Sequence, residues 1–149
     1  MVEEMYIENA SAEDVANGNH FEVGENSMVI QILDEGYAFP TPKQEFKDVH
    51  RFNFCDWTTM RAPYGAAGEH EMIQPHQAER IAFLLSYAKK NKMNIVVHCL
   101  YGRCRSTGVC EAAKSIGYSL KKNDKDYIPN ERVRDMIVSS LKRYEHEIK

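Results

Sequence analysis

The sequence predicts an α/β fold, a central and mainly parallel sheet of about four or five strands with helices on both faces. Short apolar runs at 28–33 and 95–97 are typical of strands that are buried on both faces. Segments with helical periodicity separate these runs along the chain, and strands separated by helices indicate a parallel sheet. The 149 residues are expected to form a single domain, 1–149, large enough for a substantial core.

The first half of the chain is expected to contain three strands and one short helix. Residues 2–8 are predicted to form the first strand, and Ser11 is predicted to cap a helix that ends before Gly18. The nearly unbroken apolar run 28–33 predicts a buried strand. Residues 49–54 predict a further strand, in which alternation places His50, Phe52 and Phe54 on one face.

The second half is expected to contain three helices and one strand. Pro75 suits the first turn of a helix that runs to about Asn91 and has one apolar stripe. Residues 95–98 predict a strand, and residues 107–116 predict the helix that follows it. Asn130 is expected to cap the last helix, after a charged loop.

Composition restricts the classes of partner. The formal net charge of −3 gives no overall signature of nucleic-acid or membrane binding. No signal peptide and no membrane span are evident, so we expect a cytoplasmic protein, monomeric, with neither nucleic acid nor membrane as a partner. The four cysteines are expected to be reduced thiols, and the scattered histidines predict no metal site and no cofactor.

The most informative segment is 98–107, His-Cys-Leu-Tyr-Gly-Arg-Cys-Arg-Ser-Thr, placed between the predicted strand and helix. Such a loop directs its backbone N–H groups at one point, and the helix N-terminus adds a positive partial charge. Cys99 is then a candidate nucleophile, because these surroundings lower the pKa of a thiol. Arg105 can bind two phosphate oxygens, and Gly102 lets the backbone approach the ligand. The predicted phosphate-binding residues are Leu100, Tyr101, Gly102, Arg103, Cys104 and Arg105.

The order His-Cys, five residues, Arg-Ser resembles the active-site loop of the cysteine-dependent protein tyrosine and dual-specificity phosphatases. Short bacterial and phage members are the most similar in overall pattern. The resemblance implies a protein tyrosine phosphatase-like fold and a phosphocysteine intermediate on Cys99. It also implies that Ser106 assists departure of the sulfur, that His98 supports the loop, and that Asn130, in Pro129-Asn130, buttresses the site.

The same family supplies an aspartate from a separate loop as general acid. Asp56 is favoured, since it follows the predicted strand 49–54. It lies further before Cys99 than is usual in the family, so Glu69, His70 and Glu71 remain alternatives. A turn or cap role for Asp56 is also open.

The expected substrate is a phosphorylated protein or a small phosphate ester, and two alternative functions stay open. The first is a phosphate-binding pseudophosphatase module, which binds phosphate without turnover. An inward-pointing Arg103 would favour inositol phosphates or another highly anionic substrate, whereas a solvent-exposed Arg103 would not. Cys104 is either a packing residue or a thiol that traps oxidised Cys99 as a disulfide. A rhodanese-like sulfurtransferase is disfavoured because its loop does not require the Arg-Ser pair.

Overall fold

A five-stranded sheet with parallel strand pairs forms the centre of the molecule. The computed structural model describes residues 4–55, 72–102, 104–121 and 127–148. In chain order the elements are β1 (Tyr6–Ser11), α1 (Ala12–Asn17), β2 (Ser27–Leu33), β3 (Asp48–Asn53), α2 (Pro75–Lys90), β4 (Asn94–Cys99), α3 (Arg105–Lys114), β5 (Ser119–Leu120) and α4 (Glu131–Ile148). The spatial order of the strands is β3-β2-β4-β1-β5. The predicted fold class is confirmed.

The two faces of the sheet carry different layers. Alternate strand residues, such as Ile30 and Val97, join the larger core beneath α2, α3 and α4. Their neighbours Val29 and Val96 point to the opposite face and pack with Val15 of α1. Helices therefore cover both faces, although most of the buried apolar surface lies on the side of the three long helices.

The first strand lies further along the chain than predicted. It spans Tyr6–Ser11 instead of 2–8, because residues 7–11 pair in register with 95–99 of β4. The polar residues Glu8 and Asn9 concealed this, since buried strands are usually apolar. Ser11 does cap α1 as predicted: its hydroxyl accepts from the Asp14 N–H at 3.0 Å, and Gly18 ends the helix at φ +73°.

The other elements, apart from β5, agree with the sequence prediction to within a few residues. The helix predicted at 107–116 begins at Arg105 and ends at Lys114, so Arg105 and Ser106 belong to its first turn. β5 has only two residues, which pair with Tyr6 and Ile7, and so short a strand leaves no periodicity to detect. Among the described residues, no helix is long and apolar enough to cross a membrane.

The parallel register gathers four chain segments at one edge of the sheet. Ser11 of β1 lies beside Cys99 of β4, and Leu33 of β2 lies beside Asn53 of β3. β2 and β4 are themselves neighbours. The residues that follow these four strands therefore emerge together, at the carboxyl edge where open α/β sheets bind ligands.

Candidate active site

Cys99 is the last residue of β4 and is 3% exposed. Its Sγ lies 3.3 Å from the Ser106 Oγ, in the first turn of α3. The end of β4 and the first turn of α3 therefore lie side by side at this point. The hydroxyl of Ser106 is in position to donate a hydrogen bond to a Cys99 thiolate.

The start of this loop is held against β1 and the first residue of α1 through its carbonyl groups. The Ala12 N–H donates to the Leu100 carbonyl at 3.2 Å, and the Asn9 side-chain amide donates to the Gly102 carbonyl at 2.7 Å. In a planar trans peptide the N–H points opposite to the carbonyl. The N–H of Tyr101 therefore points away from Ala12, which is the orientation that an anion-binding loop needs.

Gly102 makes this close approach possible. Its φ is +70°, in the left-handed region, and a Cβ at this position would lie 2.7 Å from both the C and the O atoms of Ala10. Both the backbone conformation and the distance to β1 therefore require glycine. The contact that requires glycine is therefore with Ala10 of β1, and the role of Gly102 in binding phosphate stays a prediction.

Arg105 is anchored by one of its guanidinium nitrogens. Its Nη1 donates to the Asp34 Oδ1 at 2.9 Å and to the Phe54 carbonyl at 2.9 Å. The residue is 6% exposed, and its buried Nε has no hydrogen-bond acceptor among the described residues. Because the guanidinium is planar, the two Nη1 contacts fix its plane and leave the Nε–H as a buried donor without an acceptor in the part of the chain that the structure describes.

The carbonyl of Cys104 joins the loop to α4. It accepts from the Gly108 N–H at 2.9 Å, from the Asn130 N–H at 3.0 Å and from the Thr107 hydroxyl at 2.9 Å. The Asn130 side chain in turn accepts from the Val133 N–H at 3.0 Å, which caps α4 as predicted. The buried Asn130 therefore contacts the loop through its backbone and fixes the helix start through its side chain.

His98 is fully buried beneath the loop. Its Nδ1–H donates to the Cys99 carbonyl at 3.2 Å. Burial lowers its pKa to about 4, with the nearby Arg105 charge acting in the same direction and the Cys99 hydrogen bond opposing it. A ring that is neutral at pH 7 and bonded to the Cys99 backbone has the geometry of a support for the loop.

Several residues of the predicted site fall outside the part of the chain that the structure describes. These are the candidate acids Asp56, Glu69, His70 and Glu71, together with Arg103. Of the described loop residues, Leu100 is half-buried and Tyr101 is 68% exposed. Within the described ranges no group of three or more His, Cys, Asp or Glu side chains is arranged to hold a metal ion.

Two residues of the site escaped the sequence prediction, Asp34 and Asn9. Asp34 follows β2 and binds Arg105, and Asn9 lies within β1 and binds Gly102. The available signal was positional, since each is a polar residue near the carboxyl end of a predicted strand.

Comparison with known proteins bears on the fold. Neither the family models nor the curated protein sequences give a match to this chain. Among solved structures, human DUSP28 matches with a TM-score of 0.51 and 17% sequence identity, covering 95% of this chain and 92% of that chain. The chain has the dual-specificity phosphatase fold. A mouse protein described as a candidate dual specificity phosphatase, complexed with zinc tungstate, has a TM-score of 0.49 and 18% identity over 93% of this chain and 80% of that chain.

In this dual-specificity phosphatase fold the Cys99 loop lies between β4 and α3, at the carboxyl edge of the sheet. The resemblance that the loop sequence carries is therefore matched by the architecture around it. At 17% sequence identity, the similarity to human DUSP28 concerns the fold.

Proposed function

We propose that this chain is a cysteine-dependent phosphatase that hydrolyses phosphate monoesters through a phosphocysteine intermediate on Cys99. The observation that carries the proposal is the buried Nε–H of Arg105, which has no acceptor among the described residues. A buried donor that lacks an acceptor costs about 1–3 kcal/mol. A phosphate oxygen in the adjoining loop would satisfy it with a charge-assisted hydrogen bond.

The surroundings of Cys99 favour its thiolate form. The Ser106 hydroxyl lies 3.3 Å from the sulfur, and the first turn of α3 directs its positive end at the loop. The cysteine within α3 offers a contrast. Cys110 is fully buried, and burial raises its pKa, so it stays a protonated thiol.

The first chemical step transfers the phosphoryl group to sulfur. The Cys99 thiolate attacks phosphorus, an S–P bond forms, and the bond between phosphorus and the leaving oxygen breaks with its electron pair on that oxygen. A general acid, which we propose is Asp56, donates the proton that the leaving oxygen takes up. Arg105 and the loop N–H groups bind the equatorial oxygens throughout.

The second step is hydrolysis of the intermediate. Water attacks phosphorus, its proton passes to the carboxylate that the first step created, and the S–P bond breaks to return the thiolate. The hydroxyl of Ser106 stabilises the sulfur as it leaves. Inorganic phosphate is the product, and atoms and charges balance without a metal ion or cofactor.

The choice of Asp56 is supported by its closeness in the sequence to Phe54, whose carbonyl binds Arg105. The Phe54 carbonyl binds Arg105 Nη1, and Asp56 follows only two residues later. Two trans peptide units limit the Cα–Cα distance to about 7.6 Å. Glu71 lies two residues before Ile73, whose carbonyl accepts from Arg132 in α4 instead.

The experiment is hydrolysis of para-nitrophenyl phosphate and of an alkyl phosphate by the reduced protein in the presence of a chelator. Native protein is compared with Cys99→Ser, with Asp56→Asn and with Cys110→Ala, the last as a matched control that removes a thiol of α3 outside the loop. We expect turnover by native protein and by the control. We expect no turnover by Cys99→Ser, and a loss of about 100-fold or more for Asp56→Asn with an alkyl phosphate, whose leaving group depends most on protonation.

Each departure from this pattern has a defined meaning. Turnover that survives in Cys99→Ser would contradict the phosphocysteine mechanism. A small loss in Asp56→Asn would transfer the acid role to Glu69, His70 or Glu71. Phosphate binding without turnover in folded native protein would replace the enzyme by a pseudophosphatase module. Preference for inositol phosphates over phosphopeptides would identify the more highly charged substrate class.

A further inference from the structure

One edge of the central sheet is formed by β3. This strand pairs with β2 along one side, and no strand among the described residues pairs with its other side. The N–H and C=O groups that point outward from such an edge can pair with an added extended chain. β3 has six residues, so its edge offers about 20 Å for such pairing.

A groove of about 520 Å³ lies at this edge. We call it the β3 groove. Four consecutive residues of β3 line it, together with one residue of the preceding loop and one of α2: Val49, His50, Arg51, Phe52, Pro42 and Arg80. Because consecutive side chains of a strand point to opposite faces, a groove lined by four of them in a row reaches both faces of the sheet. An extended peptide beside β3 has the same alternation and presents its side chains to both faces.

Arg51 is held in the groove by neutral groups. Its Nε–H donates to the Gln31 Oε1 at 2.9 Å, and its guanidinium lies 5.5 Å from the centre of the Phe39 ring. Gln31 is fully buried in β2, and its amide donates to the Pro40 carbonyl at 2.9 Å, which fixes the position of Oε1. The two Nη atoms of the exposed Arg51 have no acceptor among the described residues. Such a fixed guanidinium can bind a carboxylate through charge-assisted hydrogen bonds.

Arg80 brings a second positive charge to the groove from α2. It is exposed, and its guanidinium lies 5.5 Å from the centre of the Phe83 ring. Neither Arg51 nor Arg80 forms a salt bridge with a carboxylate in the described part of the chain. Arg143 of α4 shows the contrast, since it binds Glu79 at 2.7 Å. Both arginines of the groove therefore keep their charge available for a ligand.

The other titratable groups of the groove leave it positive. Burial lowers the pKa of His50, with the Arg80 charge acting in the same direction and Asp48 opposing it, so His50 is mainly neutral at pH 7. Asp48 lies at the amino end of β3, three residues and about 10 Å along the strand from Arg51. The groove is thus a local positive site in a chain whose formal net charge is −3.

We propose that the β3 groove binds an extended, acidic segment of a partner protein as an additional strand beside β3. Main-chain hydrogen bonds along the edge supply affinity, and neighbouring acidic side chains, which point to opposite faces, bind Arg51 on one face and Arg80 on the other. A second copy of this chain fits less well, because it brings the same positive charges to the groove. The inference does not depend on the proposed function, since it uses neither Cys99 nor Arg105.

The test is binding of a fluorescent acidic peptide, three Val-Glu-Glu repeats with blocked ends, measured by fluorescence anisotropy at low ionic strength. A neutral peptide of three Val-Gln-Gln repeats tests the charge. A methylated peptide, the acidic one with three consecutive central backbone nitrogens methylated, cannot pair with a strand edge. Native protein is compared with Arg51→Gln, with Arg80→Gln and with the double variant. Arg134→Gln on α4 is the matched control, since it removes an equal charge outside the groove. Thermal unfolding verifies that each variant is folded.

We expect native protein to bind the acidic peptide at least about tenfold more tightly than the neutral or the methylated peptide. Arg51→Gln and Arg80→Gln should each weaken binding of the acidic peptide by about threefold to fivefold, and the double variant by about tenfold or more. Arg134→Gln should stay within about twofold of native. Inorganic phosphate, added at constant ionic strength, should not displace the peptide.

Four results would overturn the proposal. The first is that native protein does not bind the acidic peptide, and the second is that Arg134→Gln weakens binding as much as the two groove variants do. Equal affinity for the methylated peptide would exclude an added strand. Displacement by inorganic phosphate would assign the peptide to the Cys99 loop. Self-association of native protein through β3, in place of peptide binding, would make a second copy the occupant.

Discussion

Substituting Gly102 by alanine tests whether close contact with β1 shapes the phosphate loop. The new Cβ would lie 2.7 Å from the Ala10 carbon and oxygen, and these are backbone atoms that cannot rotate away. The φ of +70° adds strain of about 1–2 kcal/mol for a non-glycine residue. Displacing the loop also lengthens the hydrogen bond from Asn9 to Gly102, which is worth about 1 kcal/mol. We expect a total loss of about 2–4 kcal/mol in the free energy of unfolding.

Gly24→Ala is the matched control for backbone strain. Its φ is +80°, and nothing lies within 4 Å of the position of its Cβ. Alanine restricts the unfolded chain equally at both sites, so the difference between the variants reports the contact with Ala10. We expect Gly24→Ala to lose about 1–2 kcal/mol and to keep native affinity for phosphate.

Urea unfolding at pH 7.5, together with phosphate titration of each folded variant, measures both effects. Gly102→Ala is expected to be less stable than Gly24→Ala and to bind phosphate at least tenfold more weakly, because its loop is moved off β1. Equal unfolding free energies for the two variants, with native phosphate affinity in Gly102→Ala, would refute the reasoning.

Three further predictions concern the supports of the loop. His98 has a folded-state pKa of about 4, below its unfolded value near 6.5. The unfolded chain therefore binds more protons than the folded protein as the pH falls. The contribution of His98 to the free energy of unfolding is fully present above pH 6.5 and declines towards pH 4. In urea unfolding, native protein should therefore lose about 2 kcal/mol more than His98→Asn between pH 7.5 and pH 5, and equal losses would contradict this. Asp34→Asn should weaken phosphate binding by about tenfold, because Arg105 loses its charged anchor. The control Glu35→Gln, at the exposed neighbouring residue, should leave phosphate binding unchanged. Tighter binding by Asp34→Asn would contradict this, since repulsion between the Asp34 carboxylate and phosphate would then outweigh the positioning of Arg105. Asn130→Ala should lower the free energy of unfolding by about 1 kcal/mol, because the α4 cap is lost. Asn130→Asp should keep most of that stability, since its carboxylate can accept the same hydrogen bond. Equal losses in the two variants would argue against the cap.

The alternation of strands and helices was predictable because it depends on patterns that are local in the sequence. The all-apolar run of β2, the amphipathic α2 and the Ser11 cap each leave such a pattern. The Cys99 loop was also predictable, since every residue that defines it lies within one short segment. Because the segment lies between a predicted strand and a predicted helix, the sequence also indicated that the loop would lie at the end of that strand.

The supports of the loop were less predictable because they come from distant parts of the chain. Asn9 binds a residue 93 positions away, and Asp34 binds one 71 positions away. Neither contact leaves a periodic signal. The position of β1 was mispredicted for the same reason, since its polar residues are buried by contacts with the loop and with β4.

The most direct test of the central claim is to trap the covalent intermediate. Native protein is mixed with an aryl phosphate, quenched in acid within the first turnover, and digested for mass spectrometry. The account predicts a phosphoryl group on Cys99, absent from Cys99→Ser and from the other three cysteines. Turnover by native protein without a phosphoryl group on Cys99 at any time in the reaction would contradict the account.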